Sequence, residues 1–315
     1  MIPVLSIVLP IFGLIGLGVV GGKSRLFPEA AVTGLTNFVL YVAVPALLFR
    51  TLVKSSPFEA LNPDVAFAYY AGTFAVAGGA LAFGRWVYGL SGGEAASFAM
   101  GGMFSNTGLI GIPLVFATWG EAGVVPLMVV ITFHSLIFVT LFLVLHDMAK
   151  SGPSGSTGAG WANAGRAAWH AIATNPVVIA ILVGLGWSAA GLGLPGPFAV
   201  IIDMLADAAI PAALFALGAS LARFRVEGNV PQAMTMSVVK LVVHPVVVFA
   251  VAHFVFALSP LETAVVTLAA GLPGGLMVFV VAQTYGVYVA RAGTSVVLST
   301  AGGILTLSVL LAWLV

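Results

Sequence analysis

The chain has 315 residues, 61% of them apolar and 7% charged, with a formal net charge of +1. A soluble fold needs far more polar cover than this, so most of the chain has lipid as its solvent. The absence of cysteine excludes a disulfide framework and a thiolate metal site, and a nearly neutral chain with no basic arm offers nucleic acid no footing.

A hydrocarbon core of about 30 Å takes about 20 helical residues. On that measure ten helical spans are expected, at 3–22, 31–52, 65–87, 96–119, 124–145, 176–192, 198–221, 233–257, 263–285 and 294–315. The apolar runs do not alternate as barrel strands do, so the fold class is all-α. The first span has no basic leader and is followed by others, so it is expected to be retained. After it, Gly22-Lys23-Ser24 echoes a phosphate-binding loop, but Leu17 stands where the motif wants glycine and no strand precedes it. A nucleotide is therefore not expected, and no other cofactor is implied.

The second span carries Val44-Pro45-Ala46-Leu47-Leu48-Phe49, which returns as Ile210-Pro211-Ala212-Ala213-Leu214-Phe215 in the seventh. Thr118-Trp119-Gly120 returns as Thr284-Tyr285-Gly286, and Pro10 returns as Pro176, all at a spacing of 166 residues. Matches in register across three segments indicate an internal repeat, which in a membrane protein points to a secondary transporter. Each copy holds five spans, and an odd number makes the second copy inverted in the membrane. The odd-numbered loops hold Lys23, Arg25, Arg85, Lys150, Arg166, Arg223, Arg225 and Arg291, against Arg50 and Lys54 in the even ones. The bias of Lys and Arg puts the odd loops in the cytoplasm and both termini outside.

The fourth span reads Met103-Phe104-Ser105-Asn106-Thr107-Gly108-Leu109-Ile110-Gly111-Ile112-Pro113. Small polar residues, glycine and proline stand where a continuous helix should be most apolar. The ninth span has a matching interruption, Gly271-Leu272-Pro273-Gly274-Gly275. Broken backbone cannot face lipid, so both breaks are expected to be buried or to line a wet cavity near the midplane. Helix N-termini meeting there would attract an anion, beside the Asn106 amide and the Thr107 hydroxyl. The plainer reading is that these glycines and prolines only permit a kink or close packing.

In the fifth span His134 is either a satisfied core residue or a second polar contact for the same site. The loop 146–175 opens with Ser151-Gly152-Pro153-Ser154-Gly155-Ser156, a flexible composition. Within it Trp161, Ala168, Trp169 and Ile172 share one helical face opposite Arg166 and His170, which predicts a short helix on the inner membrane surface. The expected division is a first repeat at 1–145, a linker at 146–175 and a second repeat at 176–315.

Asp203 and Asp207 share one face of the seventh span, and Lys240 and His244 share one face of the eighth. Counting rise puts Asp207 and His244 at similar depth, with Lys240 one turn nearer the cytoplasm. An Asp–His–Lys cluster there would serve coupling or gating by holding a proton; a static ion pair is the plainer alternative. His253 is expected to be structural, and no zinc spacing is present among the histidines.

The residues resemble the auxin efflux carrier family, including its bacterial members described as malate or malonate permeases. The likeness rests on Leu9-Pro10-Ile11-Phe12-Gly13-Leu14-Ile15-Gly16-Leu17-Gly18, on Val44 to Arg50, on Asn106-Thr107-Gly108 with Gly111-Ile112-Pro113, and on Leu272-Pro273-Gly274-Gly275. It implies ten spans in two inverted five-helix repeats, with broken spans 4 and 9 crossing at the centre. It implies a scaffold domain of spans 1, 2, 6 and 7 that forms a homodimer, a transport domain of the other six, and an elevator-like motion carrying small organic anions. The crossover residues that face a substrate carboxylate in that family map onto Asn106 and Pro273. In the related bile-acid:sodium symporters an acid beside the second crossover holds sodium; Pro273 to Phe279 contains none. The expected function is thus carboxylate transport across the cell inner membrane, proton-coupled or facilitative, without metal. The substrate-binding set is Ser105, Asn106, Thr107, Gly108, Pro273, Gly274, Gly275 and His134. The rival is a cation/proton antiporter using Asp203 and Asp207; a receptor or intramembrane enzyme lacks any catalytic constellation.

Overall fold

A chain in lipid has only itself to satisfy its backbone, and the described residues answer that with helices. The computed structural model describes residues 2–54, 62–151 and 174–315. The surface helix expected within 161–173 lies outside them. Among the described residues eleven helices follow in order, with a further widened helical turn at Thr107–Gly111 leading into the fifth: α1 Ile2–Lys23, α2 Glu29–Lys54, α3 Pro63–Trp86, α4 Gly92–Met103, α5 Ile112–Ser151, α6 Pro176–Ala189, α7 Gly196–Leu221, α8 Val230–Val255, α9 Pro260–Gly271, α10 Met277–Tyr285 and α11 Val289–Leu314. Among the described residues there is no strand, only one isolated bridge between Ser105 and Gly274. Among the described residues seven helices are long and apolar enough to cross a membrane, while α6 and α9 are shorter apolar helices.

Two of the expected spans run together in α5. Its 40 residues would extend about 60 Å, twice the hydrocarbon thickness. Gly120 interrupts it at φ 62° and ψ −150°, a conformation that side-chain-bearing residues avoid.

Helix starts are written locally. Asn62, Asn175 and Asn229 each accept a first-turn N–H, from Asp64, Val177 and Gln232, and each is followed closely by a proline. Ser91 with Glu94 and Ser259 with Glu262 form complete capping boxes at the starts of α4 and α9. Both of these helices are twelve residues long and both end at a break. In α2 and α8 a widened turn, Val39–Ala43 and Val239–Val243, comes just before Pro45 and Pro245. The wider turn makes room for a ring that would otherwise strike the preceding carbonyl.

Packing places α1 along α7, and the second half of α2 against α6 and α7. The α1–α7 contact is close because of glycine: a Cβ on Gly218 would lie 2.0 Å from the Ile15 carbonyl oxygen. Without hydrophobic drive between helices in lipid, such small-residue contact is what holds a helix pair. Elsewhere α3 lies on α4 and α8, and α8 on α9 and α11, enclosing the broken segments.

Candidate functional site

Two interruptions meet in the protein interior. After Met103, Phe104 turns extended (φ −75°, ψ 113°), and helical structure resumes in a widened turn at Thr107–Gly111 that leads into α5. After Gly271, Leu272 is extended (φ −62°, ψ 149°), as steric clash with the following Pro273 requires. The freed backbone groups then satisfy each other. The Asn106 N–H donates to the Pro273 carbonyl at 2.9 Å, and the Gly275 N–H to the Phe104 carbonyl at 3.1 Å. The Gly274 N–H donates to Ser299 Oγ at 3.0 Å, and the Ser105 N–H to His134 Nε2 at 3.2 Å. Breaks that would be intolerable singly in lipid are thus paired. Gly275 is required by contact: a Cβ there would lie 2.7 Å from the Phe104 ring.

Asn106 sits at the head of the second helical half. Its Oδ1 accepts the Leu109 N–H at 3.2 Å, and its carbonyl accepts from Ile110 and Gly111. Its Nδ2 is buried and has no partner. An unmet buried donor is costly, so it calls for an acceptor. Beside it, a Cβ on Gly108 would meet nothing within 4 Å. An unmet donor at a helix N-terminus, two residues before the open flank of Gly108, is chemistry that suits an anionic oxygen.

His134 belongs to this assembly. With Nε2 accepting from Ser105, Nδ1 carries the ring hydrogen and faces the Tyr69 hydroxyl at 3.5 Å, itself 3.3 Å from Ser105 Oγ. Sequence reasoning named Ser105, Asn106, Thr107, Gly108, Pro273, Gly274, Gly275 and His134, and the structure brings all eight together around the crossover. It missed Tyr69 and Ser299, which lie in apolar spans with no local break. The available signal was the four-residue spacing of Tyr69 and Thr73 and the run of Thr294, Ser295, Ser299 and Thr300 along α11.

Lys240 and His244 form a second cluster, fully buried. Lys240 Nζ donates to the Ala270 carbonyl and to His244 Nδ1, the latter at 3.1 Å. His244 Nε2 then donates to Thr73 Oγ1 at 2.9 Å, and Thr73 donates to the Tyr69 carbonyl. Lys240 thereby caps the C-terminal end of α9 at the crossover, a favourable place for a cation. Its long stem runs to the crossover and not toward the surface. Among the described residues no carboxylate pairs with it.

Asp207 does not join that cluster, which corrects the expected Asp–His–Lys arrangement. Equal depth did not mean contact, because α7 packs against α2, whose Arg50 lies closer. Arg50 Nη1 is 2.7 Å from Asp207 Oδ1 and 3.6 Å from Asp203 Oδ1, and Lys54 Nζ is 3.1 Å from Asp203. Arg50 and Lys54, expected in a loop but placed at the C-terminal end of α2, thus neutralise the acids of α7. His253 stacks on Phe249, away from both clusters.

Residues 3–158 and 161–311 match the family model described as "Membrane transport protein". The chain is 31% identical over 313 residues to a protein of Rhizobium meliloti (strain 1021) that bears the name "Putative malonate transporter", covering 99% of this chain and 96% of the relative. It is 23% identical over 341 residues to auxin efflux carrier component 8 of Arabidopsis thaliana, covering 93% and 92%. A transporter of Methanothermobacter thermautotrophicus is 26% identical over 279 residues, covering 87% and 86%.

Proposed function

The chain belongs to the membrane transport protein family of the auxin efflux carriers and is an integral membrane transporter, and from that premise we propose that it moves small organic anions, carboxylates, held at the crossover. The observation that carries this reading is the unpartnered Asn106 amide at a helix N-terminus beside the open space at Gly108. Ser105, Thr107 and His134 on one side and Pro273, Gly274 and Gly275 on the other complete the proposed site. Malonate, named for one relative, is the first substrate to try.

The proposal extends to architecture. Ten spans in two inverted five-helix repeats are supported by the sequence spacing and by the paired capping boxes and paired breaks. The helices α1, α2, α6 and α7 would form the scaffold and dimer face, and the rest would move across it as an elevator. Both termini would lie outside the inner membrane. The rival antiporter reading loses support, since Asp203 and Asp207 lie off the crossover and are already paired with Lys54 and Arg50.

Coupling to protons, if the transporter is secondary active, falls to Lys240 and His244. Asp207→Asn is accordingly expected to lower the thermal-unfolding midpoint, because it deprives Arg50 of its nearest acceptor, and to leave any dependence of transport on a pH gradient unchanged. Loss of that dependence in this variant would return Asp207 to the coupling machinery.

The decisive experiment is uptake of labelled malonate and of related mono- and dicarboxylates by the full chain in vesicles, with thermal shift alongside. A ligand at about a hundred times its Kd stabilises by about 2.7 kcal/mol. At least one carboxylate is expected both to raise the midpoint and to be taken up. Silence across the whole panel in both assays would overturn the carboxylate reading.

A further inference from the structure

The C-terminal ends of α1 and α7 meet. A Cβ on Gly22 would lie 2.5 Å from the Ala219 carbonyl oxygen and 2.9 Å from Ala222 Cβ. Beyond that contact the two following loops are tied together. Arg223 donates to the Phe27 carbonyl at 3.4 Å and pairs with Glu29 at 3.4 Å, and the rings of Phe27 and Phe215 lie 5.1 Å apart. Two similar stretches are thereby brought side by side, Lys23-Ser24-Arg25-Leu26 and Arg223-Phe224-Arg225-Val226. In each, two cations flank one residue and an apolar residue follows. The internal repeat does not account for them: at its spacing the four cations correspond to Ala189, Gly191, Pro57 and Glu59.

Three features define what this end receives. Lys23, Arg25 and Arg225 are exposed, and no ion pair among the described residues engages them. Arg223 is the strut between the loops and takes up Glu29. Glu227 follows, its backbone held by Thr294 of α11, so three free cations stand against one free acid. Helix C-termini attract cations, which accounts for Lys23 in the last turn of α1 but not for Arg25 and Arg225, beyond the helix ends. Finally, Leu26 is 83% exposed and Val226 54%, and exposed Val20 lies one turn from Lys23 on the same face of α1. Cations interleaved with exposed apolar side chains suit the boundary between headgroups and acyl chains.

We infer that the joined ends of α1 and α7 bind an anionic phospholipid, with its phosphate among Lys23, Arg25 and Arg225 and its acyl chains along Val20 and Leu26. A soluble phosphate gains nothing from Leu26 and Val226, whereas a lipid is held by charge and apolar surface together. The inference needs only that the chain spans a membrane and is independent of the proposed substrate.

The test uses the purified full chain in detergent micelles and native mass spectrometry, with phosphatidylglycerol and phosphatidylcholine of matched acyl chains in competition. Phosphatidylglycerol is expected to be preferred, each cation near the surface contributing about fivefold. Arg225→Gln should therefore lower the preference about fivefold, and Arg225→Lys should keep it. Arg85→Gln removes the same charge from another exposed position, near the end of α3, and should leave the preference nearly unchanged. Glycerol 3-phosphate, the headgroup chemistry without acyl chains, should not displace the bound lipid at equal concentration. Equal binding of the two lipids, an equal loss in Arg85→Gln and Arg225→Gln, or displacement by glycerol 3-phosphate overturns the inference.

Discussion

Asn106→Ala is expected to weaken carboxylate binding by about ten- to a hundredfold, the equivalent of about 1.5–3 kcal/mol for a hydrogen bond to a charged group. The substitution has two separable effects. It removes Nδ2, the unpartnered donor, and it removes Oδ1, which accepts the Leu109 N–H and so caps the helical restart. Losing a cap costs about 1 kcal/mol of stability and does not itself discriminate against an anion. Asn106→Asp separates the two. The carboxylate keeps an acceptor for Leu109 but replaces the donor with a second negative oxygen. Its thermal midpoint should stay nearer the unmutated value than that of the alanine variant, and its substrate affinity should fall further. Both are read by titration of the purified protein with the carboxylate that the uptake screen selects. If Asn106→Asp binds that anion as well as the unmutated chain does, the amide is a cap only and the site lies elsewhere.

The helices and their breaks were legible because lipid makes sequence unusually literal. Every backbone group must be met inside the span, so glycine, proline and small polar residues amid apolar sequence have few meanings. Asn106 and Pro273 could be named on that ground, and the bridge of Ser105 with Gly274 joins the two interruptions. Partners across helices were less legible. Rise along a helix gives depth but not azimuth, so Asp207 could be placed level with His244 without any sign that Arg50 would take it. Likewise Tyr69, Thr73 and Ser299 are polar groups whose roles exist only once α3 and α11 close around the crossover. His134 stood between two readings from sequence, and its bond from the Ser105 N–H shows which neighbours it serves.

Lys240→Met is expected to leave an inserted, folded protein whose substrate exchange persists but whose accumulation against a gradient is lost. Methionine fills the volume of the lysine stem and donates nothing. The Ala270 carbonyl and His244 Nδ1 each lose their donor, at about 1–3 kcal/mol for each buried group left unmet. Against this, burying an ammonium costs several kcal/mol, and the variant no longer bears it. The two changes oppose each other, so the thermal midpoint should move little. Transport is different. Lys240 joins α8 to the end of α9 beside the proposed substrate site, and His244 continues the contact through Thr73 to the Tyr69 backbone. A proton gained or lost in that chain alters the charge facing the crossover, which is the differential interaction a coupling element needs. Vesicles with an imposed pH gradient test this directly. The unmutated chain should concentrate the selected carboxylate beyond the level reached without the gradient, and Lys240→Met should reach only that lower level. Accumulation by the variant equal to that of the unmutated chain would make Lys240 a structural cap of α9. Indifference of the unmutated chain to the gradient would remove the proton role from Lys240 and His244 together and leave facilitated movement as the mode of transport.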